Sequence, residues 1–142
     1  EEVYGYVGGK EESVHLERMP EVVSYGDEEK ILKDFSLFFD VKEDVNKALE
    51  DARNEKTIGS SLEAEIFIHA EGEYSRALSD LSDYLHQLFI VSGVTLVDEE
   101  LPMMSKVGVK VVKSEGEKCE RCWNYVDKTE NGLCPRCQNI LK

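Results

Sequence analysis

All four cysteines of this chain lie near its end, in two pairs with the same internal spacing. Two residues separate Cys119 from Cys122 and Cys134 from Cys137, and eleven residues lie between the pairs. This spacing lets each pair form a knuckle whose thiolates point at one ion, and two knuckles complete a tetrahedral shell of four sulfurs. A tight turn at residues 131–132 (Asn-Gly) would bring the knuckles together. The pattern predicts one structural zinc ion.

Two other cysteine chemistries fit the sequence less well. Disulfides would place four cysteines more widely and would require an oxidising compartment, which nothing else in the sequence supports. A redox Cys-x-x-Cys normally follows a strand of a βαβ unit and would not occur twice. The last 24 residues contain few apolar side chains. We therefore expect the zinc ion to supply most of the folding free energy of this segment.

Positive and aromatic side chains accompany the two knuckles. Aromatic faces beside cations can stack an unpaired base and hold its phosphate, as in the recognition of single-stranded RNA loops. The candidate RNA contacts are Arg121, Trp123, Lys118, Tyr125 and Arg136. Alternatively, the Trp123 ring packs over the zinc knuckle. The ring can have both roles if one of its faces is buried on the knuckle and one edge stays free for RNA.

The elements that must position this segment begin with a long helix. Asp27 is a candidate N-cap, and no Gly or Pro interrupts residues 27–58. Apolar residues recur there at helical spacing, which predicts a single helix of about eight turns with one apolar stripe. The stripe consists of Ile31, Phe35, Phe38, Val45, Leu49 and Ala52, widened by Leu32 and Phe39. If the wide half lacks a cover, we expect self-association or packing by the N-terminal lead-in.

Alternating and periodic patterns after this helix predict an α+β unit. Apolar residues alternate over 62–68 as in a half-buried strand, and leucines at 78, 81, 85 and 88 indicate a second helix. Residues 89–97 are apolar enough for a central strand, and valines at 107, 109 and 111 indicate a third. We predict two helices packed on a small, mostly antiparallel sheet, followed by a zinc-ribbon or knuckle module. The expected divisions are an extended lead-in over 1–25, the α+β part over 26–115 and the four-cysteine zinc finger over 116–142.

Length, composition and charge limit the function classes. The chain has 142 residues, is 41% hydrophobic and 33% charged, and contains no apolar run near the roughly 20 residues that a membrane helix needs. We therefore expect no membrane partner and a cytoplasmic location. The net charge of −13 argues against indiscriminate nucleic-acid binding. Residues 106–142 carry eight basic and five acidic side chains, or +3, which leaves −16 for residues 1–105.

Two parts of the sequence resemble a known family. KCERCW at 118–123 and CPRC at 134–137 resemble the C-terminal zinc finger shared by bacterial-type isoleucyl-tRNA synthetases and formamidopyrimidine-DNA glycosylases. SVHL at 13–16 and the segment 45–64 (VNKALEDARNEKTIGSSLEA) resemble the end of the synthetase's anticodon-binding region. A glycosylase would precede its finger with a basic helix-turn-helix element, whereas the preceding region here is strongly acidic. One departure is Met19, where the synthetase family often has Trp.

The resemblance implies a C-terminal fragment of an enzyme that joins isoleucine to its tRNA with ATP. The catalytic domain, with its HIGH and KMSKS signatures and its ATP, would lie upstream, so we expect no catalytic residue in this chain. Residues 104–106 (MSK) lack the leading Lys and the second Ser of KMSKS and are set aside. The family's zinc module reaches the anticodon stem-loop. The implied partners are isoleucine tRNA and the remainder of the synthetase chain, in a monomeric full-length enzyme.

Three hypotheses follow from these observations. The first is a non-catalytic tRNA-recognition module of the synthetase. The second is a zinc-held module that docks on the rest of the enzyme without touching RNA, and the third is the finger region of a glycosylase. Other polar residues are interpreted as structural, because none combines ligand spacing with a partner nucleophile or base; these are His15, His69, His86, Glu63 and Glu65.

Overall fold

A long helix, α2, forms the centre of the molecule. The computed structural model describes residues 1–8 and 11–141. In it α2 spans Glu28–Asn54, as the apolar stripe predicts. The predicted cap is wrong in one respect, because the Asp27 side chain accepts no capping hydrogen bond. Instead, the backbone N–H of Tyr25 donates to the Glu28 carboxylate at 2.9 Å. The helix ends before Lys56, which has a positive φ of 62°.

A three-stranded sheet packs against α2. Its central strand, β1 (Ala64–His69), lies between β2 (Gly93–Leu96) and β3 (Gly108–Lys113). β2 runs parallel to β1 and β3 runs antiparallel to it, so this sheet is mixed and not mostly antiparallel. The reason is the connection from β1 to β2, which contains helices and therefore returns the chain in the same direction. The predicted α+β class is confirmed.

The second predicted helix is divided. α3 (Gly72–Asp80) is followed by a single 3₁₀ turn, Ser82–Tyr84, and by α4 (Leu85–Phe89). Helical spacing of the leucines continues across the turn, so the hydrophobic pattern gives no sign of the break. Ile90 then takes a positive φ of 59°, and β2 begins only at Gly93. The strand predicted over 89–97 is therefore shorter, and it lies at an edge of the sheet instead of its centre.

The core lies between one face of α2 and the inward face of β1. Ala64, Ile66 and Ile68 are fully buried on β1, as the alternating pattern predicts. The main buried residues of α2 are Phe38, Val41, Val45, Leu49 and Ala52. The first half of the stripe has less cover, because Ile31, Leu32 and Phe39 are 48%, 70% and 57% exposed. Whether these exposed residues cause self-association stays a prediction.

The N-terminal segment differs from the predicted extended lead-in. Residues Glu2–Val7 form a short helix, α1, and Val14–Leu16 form one 3₁₀ turn. None of the α1 residues is buried. Polar contacts hold this segment, including hydrogen bonds from Tyr4 to Glu17 and from Ser13 to Glu1. Such polar contacts between separated residues were not visible in the hydrophobic pattern.

The last part of the chain is a small unit made of a two-stranded ribbon and a short helix. A two-stranded antiparallel ribbon pairs β4 (Glu117–Lys118) with β5 (Tyr125–Val126), and the helix α5 covers Pro135–Leu141. The predicted domain limits also include Gly9, Lys10 and Lys142, which lie outside the described residues. Among the described residues, no helix is both long enough and apolar enough to cross a lipid bilayer.

Candidate metal centre

The ribbon and the last helix bring the two cysteine pairs together. Cys119 and Cys122 lie in the connection from β4 to β5, while Cys134 and Cys137 lie at the start of α5. The predicted turn lies between the pairs, and both of its residues have positive φ, 52° at Asn131 and 75° at Gly132. The backbone N–H of Glu120 donates to the Gly132 carbonyl at 2.9 Å, which joins this turn to the first knuckle.

The four sulfurs have the geometry of a single-ion site. All four Sγ atoms lie within 4.8 Å of one another. The Cys122 and Cys134 sulfurs are 3.7 Å apart, close to the separation of about 3.8 Å that a tetrahedron with metal–sulfur bonds of about 2.3 Å requires. All four cysteines are free thiols, so neither Cys119 and Cys122 nor Cys134 and Cys137 are joined by a disulfide. Among the described residues, this is the only group of three or more His, Cys, Asp or Glu side chains placed to hold a metal ion.

The environment treats the four thiols unequally. Burial raises the pKa of Cys119, but backbone N–H groups, including that of Cys134, outweigh burial and lower this pKa to about 6. Burial raises the pKa of Cys122 to about 12. The Arg121 guanidinium lowers the pKa of Cys137. Four adjacent sulfurs cannot all ionise on their own because their charges repel, so the full set of thiolates needs a cation. The donor set therefore fits a soft or borderline divalent metal ion.

Trp123 has an unusual backbone conformation and an open ring. Its φ is 66°, in the left-handed region where a bulky residue is rare and glycine is favoured. The backbone N–H donates to the Cys119 carbonyl at 2.9 Å, so the knuckle itself imposes this conformation. Trp123 is 59% exposed, and the Lys118 Nζ lies 5.3 Å from the centroid of its ring. The structure thus places a cation and an exposed aromatic face together.

The other three candidate RNA residues lie elsewhere around the finger. The Arg121 guanidinium contacts the sulfur of Cys137, with Nη1 at 3.5 Å from Sγ. Tyr125 is half-buried, and its backbone N–H donates to the Ser92 Oγ at 2.7 Å. Arg136 is exposed on α5 and lines a groove of about 190 Å³ with Tyr125 and His86. Of the five, Lys118 contacts the Trp123 ring and also pairs with Tyr125 across the β4–β5 ribbon.

Sequence reasoning missed a buried carboxylate on α2. Asp44 is 5% exposed and accepts hydrogen bonds from the backbone N–H groups of Ser105, Lys106 and Val107. These residues form the loop before β3 that superficially resembles part of KMSKS. The only sign of this buried carboxylate in the sequence is its position: Asp44 directly precedes Val45, which belongs to the apolar stripe of the predicted helix. Asp44 holds the loop backbone, so this loop has a structural explanation.

Three of the five polar residues set aside from the sequence have structural partners. The Glu63 carboxylate accepts from the Gly59 N–H at 3.1 Å, and the Glu65 carboxylate accepts from the Ser114 hydroxyl at 2.7 Å. The His69 Nδ1 lies 3.2 Å from the Val97 carbonyl oxygen. Neither glutamate belongs to the metal cluster.

Fold and site together define an α+β protein with a four-cysteine zinc-finger module. Residues 116–140 match the family described as "Zinc finger found in FPG and IleRS". Over nearly its whole length, the chain is similar to the C-terminal region of isoleucine–tRNA ligases. It is 47% identical to that of Staphylococcus carnosus (strain TM300) across 99% of this chain.

Two further relatives show the same similarity. The isoleucine–tRNA ligases of Staphylococcus epidermidis (strain RP62A) and Staphylococcus aureus (strain JH9) are 45% and 44% identical across 94% of this chain. The chain spans only 15–16% of the length of these three relatives. The predicted resemblance to the synthetase family is confirmed, and it extends well beyond the finger that the glycosylases share.

Proposed function

We propose that this chain is the tRNA-recognition region of an isoleucine–tRNA ligase, which joins isoleucine to its tRNA at the expense of ATP. Support comes from the similarity to such ligases over 94–99% of the chain. In this proposal the region is non-catalytic, and ATP and isoleucine bind elsewhere in the enzyme. Its role is to hold an RNA-binding surface at a fixed place beside the anticodon stem-loop.

The proposal assigns one structural zinc ion to Cys119, Cys122, Cys134 and Cys137. Four thiolates at tetrahedral spacing favour zinc over hard cations such as magnesium or calcium, which prefer oxygen ligands. The ion would supply charge compensation and a cross-link between the two knuckles. With four protein ligands the shell is closed, which is typical of structural and not of catalytic zinc. The finger over 116–142 is then a unit that depends on metal.

The observation that carries the RNA role is the exposed Trp123 ring beside Lys118. The backbone of Trp123 has a positive φ of 66°, a conformation that glycine would adopt with less strain. Trp123 is 59% exposed, so much of this large aromatic side chain stays open although Lys118 lies over its ring. An aromatic face next to a cation suits an unpaired base and its phosphate.

Charge limits the contact to the tip of the molecule. The +3 balance of residues 106–142 falls to about +1 when four thiolates and one divalent ion are counted. The −16 balance of residues 1–105 repels a polyanion. We therefore propose that the α+β part supports the finger and faces the remainder of the synthetase chain. The proposed enzyme is monomeric and cytoplasmic, with isoleucine tRNA as its RNA partner.

Replacement of Trp123 by glycine in the full-length ligase tests this function. We expect tRNA binding to weaken by about 1–3 kcal/mol, the usual contribution of one base–aromatic stack. Metal content and unfolding free energy should not fall, because glycine suits the positive φ at this position. The measurement is the tRNA dissociation constant at two salt concentrations. Binding that depends on phosphate contacts must be weaker at the higher salt concentration. Tyr84→Ala, at an aromatic residue that is 60% exposed and distant in sequence from the finger, is the control.

A docking module without RNA contact is the second candidate. The Ser92 hydroxyl favours it, since it accepts from the Tyr125 N–H and donates to the Leu62 carbonyl, joining the finger to the α+β part. Unchanged tRNA affinity in Trp123→Gly, with intact metal, would support docking and contradict the RNA role.

A further inference from the structure

We propose that Arg121 is a positioning residue of the metal centre, and that its guanidinium donates a hydrogen bond to the Cys137 thiolate. The proposal rests on the metal centre of the proposed function, and it goes beyond that function. It assigns to Arg121 a role that differs from the RNA contact expected from the sequence.

The two knuckles offer an internal comparison. Each has an arginine immediately before its second cysteine, Arg121 before Cys122 and Arg136 before Cys137. Only one of these side chains contacts a sulfur: the Arg121 Nη1 lies 3.5 Å from the Cys137 Sγ. Among the described residues, the Arg136 side chain forms no hydrogen bond or ion pair. The sequence pattern is the same in both knuckles, and the fold makes them different.

The Arg121 contact joins the two knuckles. Arg121 belongs to the first knuckle, whereas Cys137 belongs to the second and lies sixteen residues further along the chain. Cys137 is fully buried, so its sulfur is shielded from water. The Cys119 sulfur, by contrast, accepts a backbone N–H from Cys134 at 3.3 Å. The donor to Cys137 is therefore a side chain, which mutation can remove without altering the backbone.

The charge of the centre explains why such a donor matters. Four thiolates with one divalent ion have a net charge of −2, and a guanidinium close to one sulfur offsets part of it. A hydrogen bond to a thiolate also fixes the orientation of the ligand toward the ion. Arg121 therefore strengthens metal binding at this centre. A guanidinium engaged in this way is less available for phosphate, which leaves Lys118 and Trp123 as the principal RNA contacts.

Metal transfer from the 142-residue chain to a chromophoric chelator tests this inference. We expect Arg121→Ala to lower zinc affinity on the order of 10-fold, the lower end of the range for residues that support metal ligands. Arg121→Lys should restore part of the affinity, because it keeps the charge with a simpler donor. Arg136→Ala is the matched control and should behave as wild type. Equal zinc affinity in Arg121→Ala and wild type, or equal losses in Arg121→Ala and Arg136→Ala, would overturn the proposal.

The cobalt-loaded chain gives a second readout that a general loss of stability would not produce. A hydrogen bond lowers the energy of the sulfur lone pairs, so its loss should move the sulfur-to-cobalt charge-transfer band to lower energy. We expect this shift in Arg121→Ala, a smaller one in Arg121→Lys and none in Arg136→Ala. A band unchanged in Arg121→Ala contradicts the proposed hydrogen bond. A wild-type chain that bound neither zinc nor cobalt would instead overturn the metal centre itself, so the two failures are distinguishable.

Discussion

Asp44 and Trp123 occupy environments that are unfavourable for their residue types. Asp44 is a carboxylate in the core, and three backbone N–H groups of the loop before β3 compensate its lost hydration. Trp123 has a left-handed backbone and an open ring. The first case is fully explained by its partners, since the bonds fix the loop. In the second case the Cys119 carbonyl and the Lys118 ammonium are partners of Trp123, and they leave much of its side chain open to an external ligand.

Replacement of Asp44 by asparagine should destabilise the chain by about 2–3 kcal/mol. The amide keeps one acceptor oxygen, so at least one buried backbone N–H group loses its charged partner. Urea unfolding of the 142-residue chain measures the effect. Asp51→Asn, at an exposed position of the same helix, is the matched control. Equal unfolding free energies for the two variants would show that the loop does not depend on this carboxylate.

At the scale of elements, ion pairs link α2 to α3. The Lys30 Nζ lies 2.6 Å from the carboxylates of both Asp34 and Asp80, and Lys33 pairs with Glu73 at 3.1 Å. Both partners are exposed in the Lys30–Asp80 and Lys33–Glu73 pairs, so these two pairs contribute little to stability, whereas Asp34 is buried. The hydrogen bond with Lys30 lowers the pKa of Asp80, while the bonds to Asp34 and Asp80 raise the pKa of Lys30. The link is thus sensitive to pH at both extremes.

The sign of the pH dependence follows from these shifts. Asp80 contributes stability above its ordinary pKa of 3.8, and this contribution is lost as the pH falls through its lower folded-state pKa. Lys30 contributes below its ordinary pKa of 10.5, and its contribution is lost as the pH rises through its raised folded-state pKa. The stability difference between wild type and Asp80→Asn should therefore be flat from about pH 5 to 9 and shrink below about pH 4.

Chemical unfolding across this pH range measures the difference. Salt should reduce it, because both groups are exposed. Asp83→Asn, at an exposed position in the next turn, is the control variant. A difference that grows as the pH falls would contradict the assigned ion pair.

At the scale of the whole molecule, two parts have different sources of stability. The α+β part has an apolar core built on α2 and β1, whereas the buried cluster of the finger consists of Cys119, Cys134 and Cys137. The parts meet through few bonds, such as Tyr125 to Ser92 and Gly116 to Ser114. Since sulfurs without an ion form a poor core, metal should control one part and leave the other unaffected.

Removal of the metal should unfold the finger selectively. We expect a strong chelator to abolish amide-hydrogen protection over residues 117–141 while α2 and β1 stay protected, because their apolar core does not include the sulfurs. Hydrogen exchange with mass spectrometry locates the change. Chelator saturated with zinc beforehand is the control. Loss of protection throughout the chain would show that the proposed boundary near residue 116 is wrong.

The sequence by itself determined the features that depend on neighbouring residues. The ligand set follows from two pairs with fixed short spacing, and α2 follows from a stripe whose period is a local property of the backbone. The resemblance of the finger to its family has the same origin, since its motif is nearly contiguous. These predictions needed no knowledge of distant contacts.

Tertiary structure alone decided the features that depend on residues far apart in the chain. The parallel pairing of β2, the burial of Asp44 under a loop about sixty residues away and the contact of Arg121 with Cys137 all belong to this group. The period of the hydrophobic pattern indicates which face of a helix or strand is buried. It does not indicate which other element packs against that face. Two identical Cys-x-Arg-Cys positions therefore look alike in sequence, and only the folded chain turns one arginine toward the sulfurs.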